Sequence, residues 1–263
     1  MVMASLALPQ EWTIGAHELP AGVPAWAAEV ALALVALGYA LLLLRGIVRR
    51  QRYRATSVLG AAELARVHTA LAAAERRTVG EILPVVLERS DRHPGAAWLA
   101  ALSTMLLGSV ALVPWLPWHN PVLLLLAQVA LGALGYAAAF FLPDFLRFFL
   151  SEARADEMAA EQALQEFHNH GLQHTEARTG VLLFVSLLEH RAIVLADEGI
   201  HARVTPETWN ATNELLLAGL RRGSLCDGLC DAITSAGEVL ATHFPVSAGD
   251  RNEIPDRIVV RRE

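Results

Sequence analysis

The chain has 263 residues, of which 54% are hydrophobic and only 18% charged, with a mean hydropathy of +0.38. A soluble domain carries about 25% charged residues, so a disordered, fibrous or wholly soluble chain is excluded as a class. The net charge of -6, with all 21 basic residues arginine and no basic stripe, gives no nucleic-acid partner. Two cysteines, Cys226 and Cys230, are too few for a disulfide framework.

In chain order, residues 1–25 contain no arginine and read as an extracytoplasmic segment. Three apolar stretches follow, at 26–48, 96–113 and 121–142. Each approaches the length that crosses a hydrocarbon core of ~30 Å at 1.5 Å per helical residue. Arg45, Arg49, Arg50, Arg52 and Arg54 cluster after the first stretch, and Arg147 and Arg154 follow the third. The positive-inside rule then places the N-terminus outside and the rest of the polar chain in the cytoplasm. The expected location is a bacterial inner membrane crossed three times, with the lipid bilayer as a partner. Spans two and three form a hairpin through Pro114-Trp-Leu-Pro-Trp118, and neither contains an ionisable residue, which argues against a transport path. Gly108, Gly132 and Gly135 permit close helix contact. Trp98, Trp115 and Trp118 suit an interfacial belt.

Two polar pieces, 56–95 and 147–256, lie on the same side of the membrane and are expected to build one domain, followed by a tail at 257–263. In the first, Leu64, Val67, Leu71 and Ala74 recur at helical spacing within Leu59–Arg77. Val79–Leu87 reads as a strand, and Pro84 suggests an edge or bulge because it lacks a backbone donor. In the second, Ser151–Gly171 is an acidic helix with Met158, Ala159, Gln162, Leu164 and Phe167 inward. Gly180–Ser186 is a central buried strand, Leu187–His190 a hairpin turn, and Ala192–Ala196 the antiparallel return. Thr205-Pro206 opens a helix that Gly223 ends, with Trp209, Leu216 and Leu220 inward. Ser224 with Asp227 resembles a capping box for the next helix, whose inner side is Leu225, Leu229, Ile233, Ala236 and Leu240. A short strand is expected at Ile258–Val260. This order makes an α/β sandwich around a small mixed sheet.

Asp197 stands first among the candidate site residues, just past an apolar strand and beside Glu198 and Gly199. Carboxylates at a strand end can ligate Mg²⁺ or Ca²⁺, which prefer oxygen ligands. Glu81 or Glu189 could contribute, although Glu189 falls at the opposite end of the hairpin from Asp197, and Glu81 could instead pair with Arg76 or Arg77. A turn cap is the alternative role for Asp197. His168, His170 and His174 have zinc-like spacing but straddle a helix end without a fourth ligand. Cys226 and Cys230 read as packing residues. Arg178, Thr179 and Gly180 could hold a phosphate, without the glycines of a P-loop. No nucleophile–base pair is apparent.

The element order and several local motifs resemble the TPM domain family, in particular its bacterial membrane branch, where a hairpin interrupts the domain. The stretches that carry the resemblance are Ala74–Ile82, Phe167–Thr175, Thr179–Ser186 with Glu189, Ala196-Asp197 with Gly199-Ile200, Trp209, His243–Pro245 and Asn252–Asp256. The matching positions include Thr78, Gly80, Glu81, Thr175, Ser186, Glu189, Asp197, Trp209, Asn252 and Asp256. The resemblance leaves residues 1–55 uncovered. It implies a Rossmann-like fold, and family links to membrane-complex repair and assembly, divalent-cation binding and, in plants, acid phosphatase activity. The expected function is therefore a membrane-anchored module that binds a membrane or cytoplasmic protein. The alternative is a phosphatase-like hydrolase dependent on a divalent metal, with Asp197, Glu198 and Glu81 as its ligands. Ca²⁺ or Mg²⁺ is the candidate ion.

Overall fold

Glu81–Leu87 and Gly180–Ser186 offer a sheet no wet face, and such strands are stable only when covered on both sides. In the computed structural model they form β1 and β2, paired in parallel from Glu81↔Gly180 to Leu87↔Ser186, with every residue buried. The structure describes residues 53–112, 120–246, 253–255 and 257–261, and the single helical positions Val30, Leu37, Leu41, Leu44 and Gly46. β3 (Arg191–Ala196) runs antiparallel to β2, and β4 (Val259–Arg261) parallel to β1, in the order β3-β2-β1-β4. Apart from those five positions the first expected span (26–48), and with it the segment 1–25, the 114–118 turn, Asn252 and Asp256, lie outside the described residues, as do Trp115 and Trp118.

Pro84 corrects a simple edge assignment. β1 is an inner strand, not an edge. Glu81 donates to Thr179 O and Glu88 to Arg261 O, so the even positions of β1 turn their main chain toward the β4 side. Pairing with β4 begins only at Val85. The missing donor of Pro84 therefore faces the one stretch of β1 with no neighbouring strand.

The helices are α1 (Ala55–Val58), α2 (Ala61–Glu75), α3 (Pro94–Ala111), α4 (Pro121–Phe141), α5 (Pro143–Phe148), α6 (Glu152–Asn169), α7 (Glu198–His201), α8 (Trp209–Arg222) and α9 (Leu225–His243). Short 3-10 turns at Leu172–His174 and Pro206–Thr208 precede β2 and α8. On one sheet face α2, α8 and α9 bury Leu71, Leu216, Leu229 and Ile233 against Ile82, Val86, Val181 and Val185. On the other face α6 lays Ala159, Ala163 and Phe167 on Leu83, Val85, Leu182 and Phe184. The result is a mixed α/β sandwich around a four-stranded sheet.

Local details differ from the sequence expectation in three places. In α6 the inward positions are Ala155, Ala159, Ala163, Glu166 and Phe167, while Leu164 is exposed. Alanine at every fourth position lets this helix lie close on the sheet, and a leucine there would hold it off. Ser224 makes no capping bond, and Asp227 is taken by Arg66 at 2.7 Å. Thr205 opens the 3-10 turn, so α8 begins at Trp209.

Between β1 and β2 the chain leaves the sandwich as an antiparallel helical hairpin, α3 and α4. Among the described residues, α4 is the one helix long and apolar enough to cross a membrane, with 17% of its apolar window buried. The apolar part of α3 is shorter, Pro94–Val110. Three spans are thus an expectation, of which one meets the length and composition criteria. The two helices meet closely at Gly135, where a Cβ would stand 2.5 Å from Thr104 Oγ1 and 2.8 Å from Ala100 O. At the base, Ala96, Ala100, Ala139, Leu146 and Leu188 form a small core of their own, joined by Tyr53, Phe145 and Phe149.

Candidate functional site

The residues singled out by the sequence divide between the two ends of the sheet. At the end where β1 and β2 begin, Asp197, Gly180 and Glu81 stand in one row across three strands: Gly180 accepts from Asp197 N and pairs with Glu81. By strand alternation both carboxylates lie on the α6 face. Two inter-strand steps of ~4.8 Å separate their backbones. The space above Gly180 belongs to Leu172, whose carbonyl oxygen would lie 2.5 Å from a Cβ at that position.

Each carboxylate has its own surroundings. Glu81 is 6% exposed and accepts from Glu253 N at 2.9 Å. Asp197 is 7% exposed. Its Oδ1 caps α7 by accepting from Glu198 N at 2.7 Å, whereas its Oδ2 is buried and accepts no hydrogen bond among the described residues. The turn-capping role is thus observed for one oxygen and leaves the other unengaged. Glu198 points outward and meets Arg178 at 2.9 Å. Arg178 is left-handed at φ 51° and precedes Thr179, whose amide donates to Thr175 Oγ1 at 2.9 Å. Thr179 Oγ1 in turn reaches Val79 O at 3.3 Å. Thr78 donates to Phe244 O at 2.6 Å and accepts from Gly80 N at 3.0 Å. Glu253 accepts from Glu176 N through both oxygens, at 3.0 and 3.1 Å. The structure therefore gathers Thr78, Gly80, Glu81, Thr175 and Asp197 at one rim. It adds Thr179, which the sequence offered only as part of a phosphate-holding loop, and Glu253, to which it gave no role. Among the described residues no three His, Cys, Asp or Glu side chains stand together as a metal cluster.

Ser186 and Glu189 lie at the opposite end, six strand positions away, or ~20 Å. Here the β2–β3 turn puts the Glu189 carboxylate in full burial. It accepts from His93 Nε2 at 2.5 Å, from Ser90 N at 3.0 Å and from the Ser186 hydroxyl. A carboxylate only accepts, so the His93 proton is on Nε2. The His93 Nδ1 is buried without a hydrogen bond, 3.6 Å from Asp91 Oδ2. Burial pushes the Glu189 carboxyl up, but hydrogen bonds from His93, Ser186 and Ser90 outweigh it, and the group is held below its ordinary value. Serine, glutamate and histidine are the residue types of a hydrolytic triad in the wrong sequence of contacts. A triad needs histidine between nucleophile and acid. Here glutamate is central, so His93 has no route to the serine proton, and Ser186 is 0% exposed. The cluster is a clasp. It ties His93, the residue before α3, to the turn that joins β2 and β3.

His93 was the site residue missed by sequence reading. Its one local signal is position: a histidine directly before the Pro94 that opens an apolar helix. The other candidates do not converge. His168 Nδ1 faces Leu164 O, His170 faces Glu166, and His174 faces Gln173. Burial lowers the His170 pKa, and Arg261 and Arg257 act in the same direction against Glu166. Cys226 is buried and Cys230 partly so; burial and its neighbouring thiol push Cys230 up to about 11. Trp209 is a core residue, 5% exposed. A fourth buried carboxylate among the described residues, Glu166, is held by Arg261 of β4, by His170 at 3.2 Å and by Gln162 at 3.0 Å.

No family model and no curated protein matches the chain. Among solved structures, the chain is similar to the NMR structure of BA42 protein from the psychrophilic bacterium Bizionia argentinensis. The identity is 20% and the TM-score 0.48, over 77% of this chain and 94% of that one.

Proposed function

We propose that this chain is a membrane-anchored, TPM-like domain of Rossmann-like type that binds a membrane or cytoplasmic protein and serves as an assembly module. On this reading it is held in a bacterial inner membrane with the N-terminus outside and the α/β domain in the cytoplasm. One observation carries it: the α3–α4 hairpin. Leu102, Leu106, Leu107, Val110, Leu125, Leu126 and Val129 are each about half exposed or more, so the hairpin is apolar on its outside. An apolar patch of that extent marks contact with lipid or protein. Its base is clasped to the sheet through His93 and Glu189. Blue native electrophoresis of gently solubilised membranes tests the reading. Carbonate-resistant membrane association and migration in a complex well above 28.4 kDa are the expected results. Release by carbonate, or migration as a free chain, would overturn it.

The second reading is a divalent-metal-dependent hydrolase of phosphate esters, favoured by the unengaged, buried Asp197 Oδ2. The donor chemistry is of the right kind, oxygen near a rim with main-chain carbonyls, for Ca²⁺ or Mg²⁺. Against it, Glu198 is drawn outward by Arg178. Melting the chain with and without each ion decides the point. A rise in melting temperature that is absent in Asp197→Asn, with turnover of p-nitrophenyl phosphate lost in the same variant, is what this reading requires.

A further inference from the structure

The hairpin is joined to the sandwich with no tether. His93 is 3% exposed inside the clasp, and Pro94 is already the first residue of α3. On the return, α4 ends at Phe141, Leu142 is buried, and α5 begins at Pro143. At 1.5 Å per residue the 21-residue α4 is ~32 Å long and the 18-residue α3 ~27 Å. A hydrocarbon core is ~30 Å thick. Neither helix has a turn to spare for lifting the domain clear of the headgroups.

The surface around the root fits that confinement. α5 places two of its apolar groups inward: Leu146 is buried, and Phe145, with Phe149 just past the helix end, packs against the small core of the hairpin base. Phe148 in the same turn is 82% exposed. Its one ring contact among the described residues is the edge of Phe149 at 5.2 Å, and leaving most of a phenylalanine in water forgoes the stabilisation that burial would give. Arg147 lies beside it in sequence, and Tyr53 donates its hydroxyl to Asp144 on the same short helix. Above the root, Phe140 and Phe141 are exposed, and the Trp98 and Tyr136 rings meet at a tilt, 5.3 Å apart, between α3 and α4. Aromatic rings of this kind collect at the boundary of headgroup and acyl chain.

We infer that α5 is an interfacial helix and that the root face of the α/β domain is a lipid-contacting surface, with Phe148 seated at the headgroup–acyl boundary of a phospholipid layer. The inference rests on the membrane reading of the hairpin and goes beyond anchoring: the domain is docked on the bilayer in one orientation. The charges beside Phe148, Arg147 with Asp144 and Glu152, are of both signs and suit a phospholipid headgroup layer. Docking also sets the opposite rim, with Glu81 and Asp197, about the length of one seven-residue strand, or ~20 Å, from the root end.

The test uses the full chain in nanodiscs of phosphatidylethanolamine and phosphatidylglycerol, with Cys226→Ala and Cys230→Ala. Single nitroxides are placed at Leu126→Cys, Phe148→Cys and Leu164→Cys. Leu126 reports the hairpin, and Leu164 reports the exposed side of α6, ~18 Å further along that helix than Glu152. Expected is high oxygen collision at 126, loss of nickel-chelate access at 148, and full nickel-chelate access at 164. Position 148 as accessible as 164, with 126 in lipid, overturns the docked surface while leaving the anchor intact. Position 126 open to the chelate overturns the anchor and the docking with it. A phospholipid carrying a diazirine gives an independent reading on the unaltered chain. Cross-links to Arg147 or Phe148 support docking, and cross-links confined to 94–141 overturn it.

Discussion

Replacing Glu189 by alanine is the sharpest perturbation of the clasp. The substitution strands three donors at once: the buried Ser186 hydroxyl and His93 Nε2–H, and the half-buried Ser90 N–H. A buried donor without an acceptor costs about 1–3 kcal/mol, and removing one partner of a buried charged contact about 3–5 kcal/mol. Water entering the vacated space satisfies part of the loss, so the expected destabilisation is about 3–5 kcal/mol. Total stabilities lie in the range of about 5–15 kcal/mol, so this is a large fraction. For a chain of this size each kcal/mol moves the melting temperature by about 2–4 °C, which puts the drop at roughly 6–20 °C. Glu189→Gln keeps the shape and one acceptor oxygen and is expected to lose about 1–2 kcal/mol. The assay is a thermal melt of the full chain in nanodiscs, read by near-ultraviolet circular dichroism. An alanine variant melting within about 2 °C of the parent would refute the clasp as a source of stability. The pH dependence has a definite sign. The folded carboxyl of Glu189 is depressed, so its contribution is fully present above the ordinary carboxylate range and is lost as pH falls through the folded value. The parent's advantage over Glu189→Gln should therefore shrink on acidification and hold steady from mildly acidic pH upward.

Gly135→Leu drives a side chain into Thr104 and the Ala100 carbonyl, and parting α3 from α4 should cost about 1–3 kcal/mol. Disulfide cross-linking between cysteines placed on the two helices reads this out, and undiminished cross-linking would contradict the close crossing. Cys230, raised from 9.0 to about 11, should be alkylated by iodoacetamide at pH 8 about 100-fold more slowly than an unperturbed thiol. A rate equal to that of a model peptide would show that the burial is wrong. Arg261→Ala removes the cation from the buried Glu166 and should loosen β4. Faster amide exchange at Val86 and Glu88, the positions whose main chain faces β4, is the readout, and unchanged exchange would assign the holding of β4 to its strand bonds alone.

Burial patterns made much of the sandwich readable from residues alone. β2 has no polar position until Ser186, and α9 repeats Leu225, Leu229, Ile233, Ala236 and Leu240 at helical spacing, so both declare what they pack against. The inner side of α6 was harder because packing distance, not hydrophobicity, selected it: Ala163 goes in and Leu164 stays out. Pro84 was ambiguous because two-sided pairing depends on where β4 starts, and β4 is supplied by a segment more than 170 residues later. The rim residues Glu81 and Asp197 were visible as carboxylates at strand ends. Their separation by Gly180 became visible only with register. His93 could not be found locally, since its partner Glu189 is 96 residues away.

Glu81 pairs with Gly180, and the hairpin lies in the interval between them. On the membrane reading, this dictates an order of manufacture. When β1 leaves the ribosome its central partner has not been synthesised, and the next segment out is the apolar hairpin, which enters the bilayer first. β1 then waits at the lipid surface until β2 arrives and the seven-residue parallel ladder can close. Closing the ladder brings Ser186 and Glu189 to His93, and these contacts grip the base of a hairpin already in place. A hairpin of which only one helix crossed would leave β1 on the far side from β2, with no partner for its buried edge. On that reading, crossing by both helices is read out by whether the sheet can form at all.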